Sequence, residues 1–530
     1  MKRPIPIRSY VEDRWVEGEG EGSELINPAD GEVLATATTA GVDMGAALRH
    51  ARQVGGRNLR AMTFEERGAL LKTLSGVIRD HRDELLEVAV RNGGNTPGDA
   101  KFDVDGASGT LAFYAALGRS LGARRHLLDG ELAPLGRSTP LSGQHVWVAK
   151  PGVAVLINAF NFPAWGLAEK MACATLAAMP VVVKPATQTA LLAYEIARLF
   201  VARGVLPAGA WSFLAGPAGD LLDHLEGQDV LAFTGSAATG RAMRRHPRVL
   251  EKGVRVNVEA DSINAAVLGP DVAPGSPTWG LFAQQVVHEM TQKAGQKCTA
   301  TRRVFVPGAR LDEAEAALVA RLSAVRVGDP IVDGSGMGPL TSAGQREEVL
   351  AGVRRLQAEA RVVFRGEAPD GAGCFVPPVL LRADDPHAAA EVHRLEVFGP
   401  VATLMPYDGS VEDAAELVAR GEGSLVSSVY SDDPEFVSRA VLALAPYNGR
   451  LTIGSADVAA EAYSPGMVLP GLVHGGPGRA GGGEELGGLR GVQHYMQRTA
   501  LQGSSELLAG VLEAPAGVAA ETRGASATGC

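Results

Sequence analysis

The sequence has 530 residues, 46% of them hydrophobic and 21% charged, with a net charge of −10. At roughly 100–200 residues per domain, this length predicts two or three domains, and a negative balance without a long basic block argues against nucleic acid or an anionic membrane as principal partner. Residues 1–10 lack the apolar core of a secretory signal, no apolar run reaches membrane-spanning length, and the four cysteines, Cys173, Cys298, Cys374 and Cys530, have no metal-ligand spacing; a reducing cytoplasm, no disulfide framework and no metal site are expected.

In chain order, an extended start gives way to mostly helical sequence up to about residue 130. Residues 64–90 carry an amphipathic pattern with Leu70, Leu71, Leu74, Val77 and Ile78 on one side. Asn92-Gly93-Gly94-Asn95 stops it. Short apolar runs then alternate with helix-compatible stretches. Strands are predicted at 153–158, 181–184, 211–214 and 230–234, a helix at 191–203, and further strands at 253–259 and 265–268. That rhythm predicts a parallel sheet with crossover helices. It recurs from 269 to 475, with helices at 311–325 and 346–359 and strands at 362–364 and 425–430, and reads as a second α/β domain. Residues 475–491 are rich in glycine and read as a loop system; the Ala/Gly-rich tail from Leu507 reads as partly disordered.

Gly295-Gln296-Lys297-Cys298 lies between a helix-like stretch and a strand-like run at 303–306. A thiol there is a nucleophile if positive potential or backbone amides favour its thiolate; a small buried hydrophobe is the competing reading. Phe233-Thr234-Gly235-Ser236-Ala237-Ala238-Thr239-Gly240 ends a strand, turns on small residues and opens a helix, whose first amides and hydroxyls suit a pyrophosphate. It is neither a GxGxxG fingerprint nor a Walker loop, and a plain strand-to-helix turn explains it equally well. Val256-Asn257-Val258-Glu259 ends an apolar strand on a carboxylate. Desolvation there would raise its pKa, as suits a general base, and pairing with a basic side chain is the alternative. Asn158-Ala159-Phe160-Asn161-Phe162-Pro163 follows the first clear strand. An asparagine amide at that place either donates to an oxyanion or simply turns the chain before proline.

In their order and spacing, Asn161-Phe162-Pro163, Lys184-Pro185-Ala186, Phe233-Thr234-Gly235-Ser236, Glu259, Gly295-Gln296-Lys297-Cys298 and Glu396-Val397-Phe398-Gly399-Pro400 resemble the aldehyde dehydrogenase superfamily, over nearly the whole chain from Asn27-Pro28 to Gln502. The resemblance implies an α/β fold with a Rossmann-like cofactor domain (1–140 and 151–268), an α/β catalytic domain (269–482), a β-arm for oligomerisation (141–150 with 483–510) and a flexible tail (511–530). It implies that Cys298 attacks the aldehyde, that Asn161 and the Cys298 amide hold the oxyanion, and that Glu259 activates the water that releases the acid. It places Lys184 on the adenosine ribose, Gly235 and Ser236 at the pyrophosphate, Glu396 on the nicotinamide ribose and Phe398 near the ring. Phe160 stands where the family commonly has tryptophan beside the cofactor, so an indole N–H contact is absent.

Two departures carry information. The Gly-Gly-Lys usual after the glutamate is replaced by Asp261-Ser262-Ile263 before Asn264. Where NAD-preferring members carry a glutamate after the Lys-Pro-Ala string, this chain has Thr187, which does not repel a 2′-phosphate and can donate to it; NADP is the expected cofactor, with NAD weaker.

A narrower resemblance rests on residues 256–264, 474–488 and 494–500. They are similar to the aldehyde dehydrogenases of bacterial CoA-dependent aromatic degradation. One branch there opens the ring in phenylacetate breakdown and is fused to a hydratase domain; the other is stand-alone and serves benzoate oxidation. About thirty residues after the arm are too few for a second enzyme domain, which favours the stand-alone branch. The expected substrate is therefore a CoA-linked semialdehyde, and the expected assembly a homodimer. Glu259 speaks against an acylating enzyme that transfers to free CoA, and the set Cys298, Asn161 and Glu259 speaks against a non-catalytic binding protein. A semialdehyde dehydrogenase without CoA substrates is the remaining alternative. His288, His393 and His474 read as structural or surface residues.

Overall fold

The computed structural model describes residues 4–136, 140–332, 334–371 and 373–513. Of the tail expected to be flexible at 511–530, residues 514–530 lie outside the described residues; the chain before them forms the helix Ser505–Glu513.

Two seven-stranded sheets organise the molecule. The first has the order Arg255–Glu259, Val230–Thr234, Ala154–Ile157, Val181–Lys184, Trp211–Phe213, Ser9–Val11, Arg14–Val16. Its first five strands are parallel, and the N-terminal pair closes the edge antiparallel. Ala154–Ile157 and Trp211–Phe213 are buried at every residue, which is why they read as unbroken apolar runs: helices cover both faces of such a sheet. From Ala154–Ile157 the chain builds outward through 181–184 to 211–213, then returns to place 230–234 and 255–259 on the other side. The strand order therefore reverses between Ala154–Ile157 and Val230–Thr234, and the crevice beyond their carboxyl ends is the natural ligand position in an open α/β sheet.

The second sheet runs Arg361–Arg365, Val379–Arg382, Val401–Tyr407, Thr301–Pro307, Asn264–Leu268, Ser424–Tyr430, Asn448–Gly454, all parallel except the first. Asn264–Leu268, grouped from the sequence with the cofactor domain, pairs instead with Thr301–Pro307 and Ser424–Tyr430. Residues 260–263 thus carry the chain from the carboxyl end of one sheet to the amino end of the other, and the two edges face each other across the site.

A three-stranded sheet forms the arm. Met496–Ser504 pairs along its whole length with Leu141–Ala149, as expected, and Leu127–Pro134 adds a third strand that the sequence reading did not include. Gly483–Leu486, assigned from the sequence to the arm, pairs instead with Val473–Gly476 in a separate hairpin. The glycine-rich stretch is therefore built structure rather than a loop system. Glycine is required there because the strands approach too closely for a side chain: at Gly475 (φ 132°) a Cβ would stand 2.2 Å from the Gly483 carbonyl oxygen.

The amphipathic stretch at 64–90 is two helices, Phe64–Asp80 and Arg82–Gly93, broken at His81 (φ −109°, ψ 23°). Thr63 and Glu66 form a reciprocal capping box at the start of the first, and Gly94 ends the second in the left-handed conformation, as the stop signal predicted. No helix among the described residues is long and apolar enough to cross a membrane.

Candidate active site

The candidate residues of the first sheet all lie at or just beyond its carboxyl ends. Glu259 ends Arg255–Glu259, and Lys184 ends Val181–Lys184. Asn161 lies just past Ala154–Ile157, Thr187 opens the short turn Thr187–Thr189, and Gly235 and Ser236 follow Val230–Thr234. Cys298, Glu396 and Phe398 come from the opposite side, shortly before Thr301–Pro307 and Val401–Tyr407 begin. Cys298, Glu259 and Asn161 line one cavity of about 490 Å³ together with Phe162, Trp165 and His474.

The Cys298 loop is a strained turn held from several directions. After the helix Pro277–Thr291 the backbone passes through Lys293 (φ 53°), Ala294 (φ 52°) and Gly295 (φ 67°), all left-handed. Non-glycine residues in that region cost about 1–3 kcal/mol each and persist only where the surroundings fix them. The Arg302 guanidinium donates to the carbonyls of Gly295 (2.8 Å), Lys297 (3.3 Å) and Gly399 (2.6 Å). The Asn264 amide donates to the carbonyls of Cys298 and Ala300, both at 2.8 Å. The backbone departure noted at Asp261-Ser262-Ile263 therefore ends on a residue that anchors the Cys298 loop. Gly295 cannot be replaced, because a Cβ would meet the Gly399 carbonyl oxygen at 2.2 Å.

Lys297, next to Cys298, does not supply the positive potential that would favour a thiolate. Its ammonium is fully buried, 2.7 Å from Glu289 and 2.6 Å from the Gln292 side-chain oxygen. The Cys298 thiol is pushed well up by burial and then by the Glu259 carboxylate, an oxygen of which lies within 4.8 Å of Sγ. It thus rests protonated.

Glu259 departs from expectation in sign. Burial does push its carboxyl up, but the His474 imidazole and the Lys170 ammonium outweigh burial and hold it well below the usual carboxylate range. His474 Nε2 stands 3.3 Å from Glu259 Oε1, both side chains being almost fully buried, and Thr234 Oγ1 donates to Oε2 at 3.3 Å. His474, read from the sequence as structural or surface, is therefore part of the site. His288 and His393 fit that reading: His288 is exposed, and His393 is a buried strut between Arg303 and the Pro386 carbonyl, pushed down to about 4 by burial and Arg303.

Behind Glu259 lies a charge cluster absent from the sequence reading. Lys170 Nζ is 2.8 Å from Glu169 and 2.9 Å from Glu485, and the Asn257 amide donates to Glu485 at 2.9 Å. Carboxylate oxygens of Glu169, Glu259 and Glu485 all lie within 4.8 Å of one another. Burial pushes Glu485 up to about 7, against the pull of Lys170.

The candidate cofactor residues surround the crevice. The Lys184 ammonium is pushed down by burial and makes no ion pair among the described residues. Thr189 Oγ1 donates to the Phe160 carbonyl at 2.8 Å, which ties the Thr187 turn to the Asn161 loop. Ser236 caps the helix Ala237–Arg244 by accepting from the Thr239 N–H. Asp261 accepts from the Ala237 N–H at 2.8 Å, so one amide of that helix start is already used. Phe160 and Phe398 meet edge to face, centroids 5.7 Å apart. Burial pushes Glu396 up to about 7, opposed by Arg302.

The aldehyde dehydrogenase family profile matches residues 15–501. The chain belongs to the aldehyde dehydrogenase family. A 3,4-dehydroadipyl-CoA semialdehyde dehydrogenase from Aromatoleum evansii is 45% identical over 480 residues, 89% of this chain and 93% of its own. Protein MaoC from Klebsiella aerogenes is 47% identical over 175 residues, which span 33% of this chain and 52% of that one. Among solved structures, a lactaldehyde dehydrogenase superposes with a TM-score of 0.82 at 22% identity, covering 94% of this chain and 99% of its own. A betaine aldehyde dehydrogenase from Staphylococcus aureus in complex with NAD+ gives 0.81 at 22%, covering 94% and 95%. These structures establish the aldehyde dehydrogenase-like α/β fold.

An aldehyde dehydrogenase uses NAD(P), and the residues here fit a dinucleotide. Lys184 is a half-buried ammonium without a counter-ion among the described residues, at a strand's carboxyl end. Asn158, buried at the cavity wall, has no hydrogen-bond partner among the described residues for either its amide nitrogen or its oxygen. Sequence reasoning missed Lys170, Glu169, Glu485 and Arg302. For the first two a signal existed: the charged pair Glu169-Lys170 interrupts the otherwise apolar helix Trp165–Leu176, in which every residue but Gly166 is buried.

Proposed function

We propose that this aldehyde dehydrogenase oxidises a CoA-linked semialdehyde, 3,4-didehydroadipyl-CoA semialdehyde, to its carboxylic acid in benzoate catabolism, with NADP as hydride acceptor and Cys298 as acyl carrier. The observation that carries the substrate is the 45% identity, along most of both chains, to the Aromatoleum evansii protein of that name. The chemistry rests on Cys298, Glu259 and Asn161 sharing one cavity.

Cys298 Sγ attacks the carbonyl carbon as its proton is released to solvent, and Glu259, held low by His474 and Lys170, stays ionised for the later water step. One hydrogen of the Asn161 amide is committed to the Gln296 carbonyl at 3.0 Å. The amide is therefore fixed, with its second N–H left for the developing oxyanion; such a donor is worth about 10²–10³ in rate. Lys184, Thr187, Gly235, Ser236, Glu396 and the Phe160/Phe398 pair would hold NADP, which would supply an acceptor for the hydride of the thiohemiacetal carbon. Cys298 then carries a thioester. Glu259 removes a proton from water as the water oxygen bonds the acyl carbon and the C–S bond breaks onto sulfur; general-base assistance of this kind contributes about 10²–10⁴. Dividing the oxidation into two steps lowers each barrier.

Thr187 supports NADP, since a hydroxyl can donate to a 2′-phosphate where a carboxylate would repel it. The arm supports a homodimer: Leu141 and Val148, on its central strand, are exposed apolar side chains. A cytoplasmic enzyme fits the sparse, free cysteines Cys173, Cys298 and Cys374.

The test is NADPH formation from CoA-linked semialdehydes against the corresponding free semialdehydes. A kcat/KM at least about tenfold higher for the CoA thioester, ~1.4 kcal/mol of extra transition-state binding, is expected. Equal values would leave a semialdehyde dehydrogenase that does not recognise CoA.

A further inference from the structure

In the hairpin, His474 is the direct cross-strand partner of Glu485, so both side chains leave the same face of the ribbon. They reach different targets in the buried cluster: Glu485 reaches Lys170, and His474 reaches Glu259. Glu259 Oε1 has no hydrogen-bond partner among the described residues and faces His474 Nε2 at 3.3 Å, whereas Oε2 is served by Thr234. The imidazole also lines the catalytic cavity beside Cys298. A buried carboxylate with one oxygen facing a single nitrogen depends on that nitrogen for both its orientation and its charge.

We propose that His474 is the positioning residue of the general base: its Nε2–H donates to Glu259 Oε1 and keeps the ionised carboxylate turned toward Cys298. The proposal rests on Glu259 being the deacylation base and goes beyond it by naming what holds that base. Without His474 the carboxylate is left to two opposing influences. Burial favours its protonated form, and the Lys170 ammonium draws it away toward Glu169 and Glu485. The charged and titratable groups around His474 are Glu259 on its strand, Cys298 on its loop, Glu169 and Lys170 on the helix Trp165–Leu176, Arg450 on the strand Asn448–Gly454, and Glu485 on the hairpin itself. Glu259 raises the imidazole's proton affinity against burial.

The sign of the pH effect follows. His474 holds the Glu259 carboxyl low; removing it lets burial raise that carboxyl, so the acid limb of kcat moves to higher pH. An opposite charge at this distance shifts a carboxyl by about 1–3 units. The experiment measures kcat between pH 5 and 9, with the first-turnover NADPH burst, in the full-length parent, His474→Gln, His474→Phe and Glu259→Gln. His474→Gln keeps a donor without the charge. It is expected to move the acid limb up by about one unit while keeping the burst and most of kcat above pH 8. His474→Phe loses the donor as well and is expected to lower kcat tenfold or more at every pH, again with the burst retained. Profiles of both variants that superimpose on the parent overturn the proposal, and so does a burst that falls in parallel with turnover in His474→Gln, which would make His474 a support of the whole site. If His474→Phe does not fold, His474→Gln decides alone. Undiminished turnover in Glu259→Gln would instead refute the reading of Glu259, whatever the histidine variants do.

Discussion

Lys297 Nζ lies 2.7 Å from Glu289, with neither side chain exposed to solvent at all. The residue next to the nucleophile is therefore an anchor of the loop and not an activator of the thiol. Glu289 also accepts from Ser464 and from the Gly466 N–H, so the pair ties the Cys298 loop to the segment below the hairpin. Removing one partner strands the other charge in the interior, at a cost of about 3–5 kcal/mol. Lys297→Met should lower the denaturant midpoint accordingly and restore part of it when combined with Glu289→Gln. An unchanged midpoint in the single variant would show that the pair does not hold the loop.

Glu396 predicts a pH dependence in cofactor binding. Burial sets its carboxyl at about 7, above the ordinary carboxylate value. As pH falls through 7 the group protonates and loses its charge and one acceptor for ribose hydroxyls. KM for NADP should therefore rise below pH 7 and be flat above 8, and Glu396→Gln should flatten the profile at the higher KM. A Gln variant with the parent's slope would move the titration to another group.

Thr187 should decide the nucleotide. Thr187→Glu places a carboxylate where the 2′-phosphate is expected, and a like charge within a few ångströms disfavours binding by about 1–3 kcal/mol in a half-buried site. The ratio of kcat/KM for NADP over NAD should drop at least tenfold. Unchanged discrimination would remove Thr187 from the account.

The sequence disclosed the five parallel strands of the first sheet and four of the second, at 264–268, 301–307, 361–365 and 424–430, because they are apolar runs bounded by turn residues, and it disclosed the strand-end motifs because the family resemblance fixes their order; it did not mark Val379–Arg382, Val401–Tyr407 or Asn448–Gly454 as strands. It did not disclose that Asn264–Leu268 belongs to the second sheet: strand pairing is non-local, and residues 260–263 carry no boundary signal. The helix break at His81 was hidden for a different reason. The apolar stripe continues through it, while the new helix is marked only by Asp83 and Glu84 in its first turn. His474 was misread because its glycine neighbours look like a loop. Those glycines are instead what allow the hairpin to pack: the Gly475 carbonyl oxygen lies so near Gly449 that a Cβ there would touch it at 1.7 Å. The depressed Glu259 carboxyl was invisible for the same reason, since its two cationic neighbours come from distant parts of the chain, Lys170 and His474.

The most direct test of the central claim is the intact mass of Glu259→Gln mixed with NADP and the CoA-linked semialdehyde, followed by peptide mapping. One NADPH should form per chain, with an acyl adduct on the peptide carrying Cys298 that persists for want of the base. Steady NADPH production without an adduct at Cys298 would contradict the account.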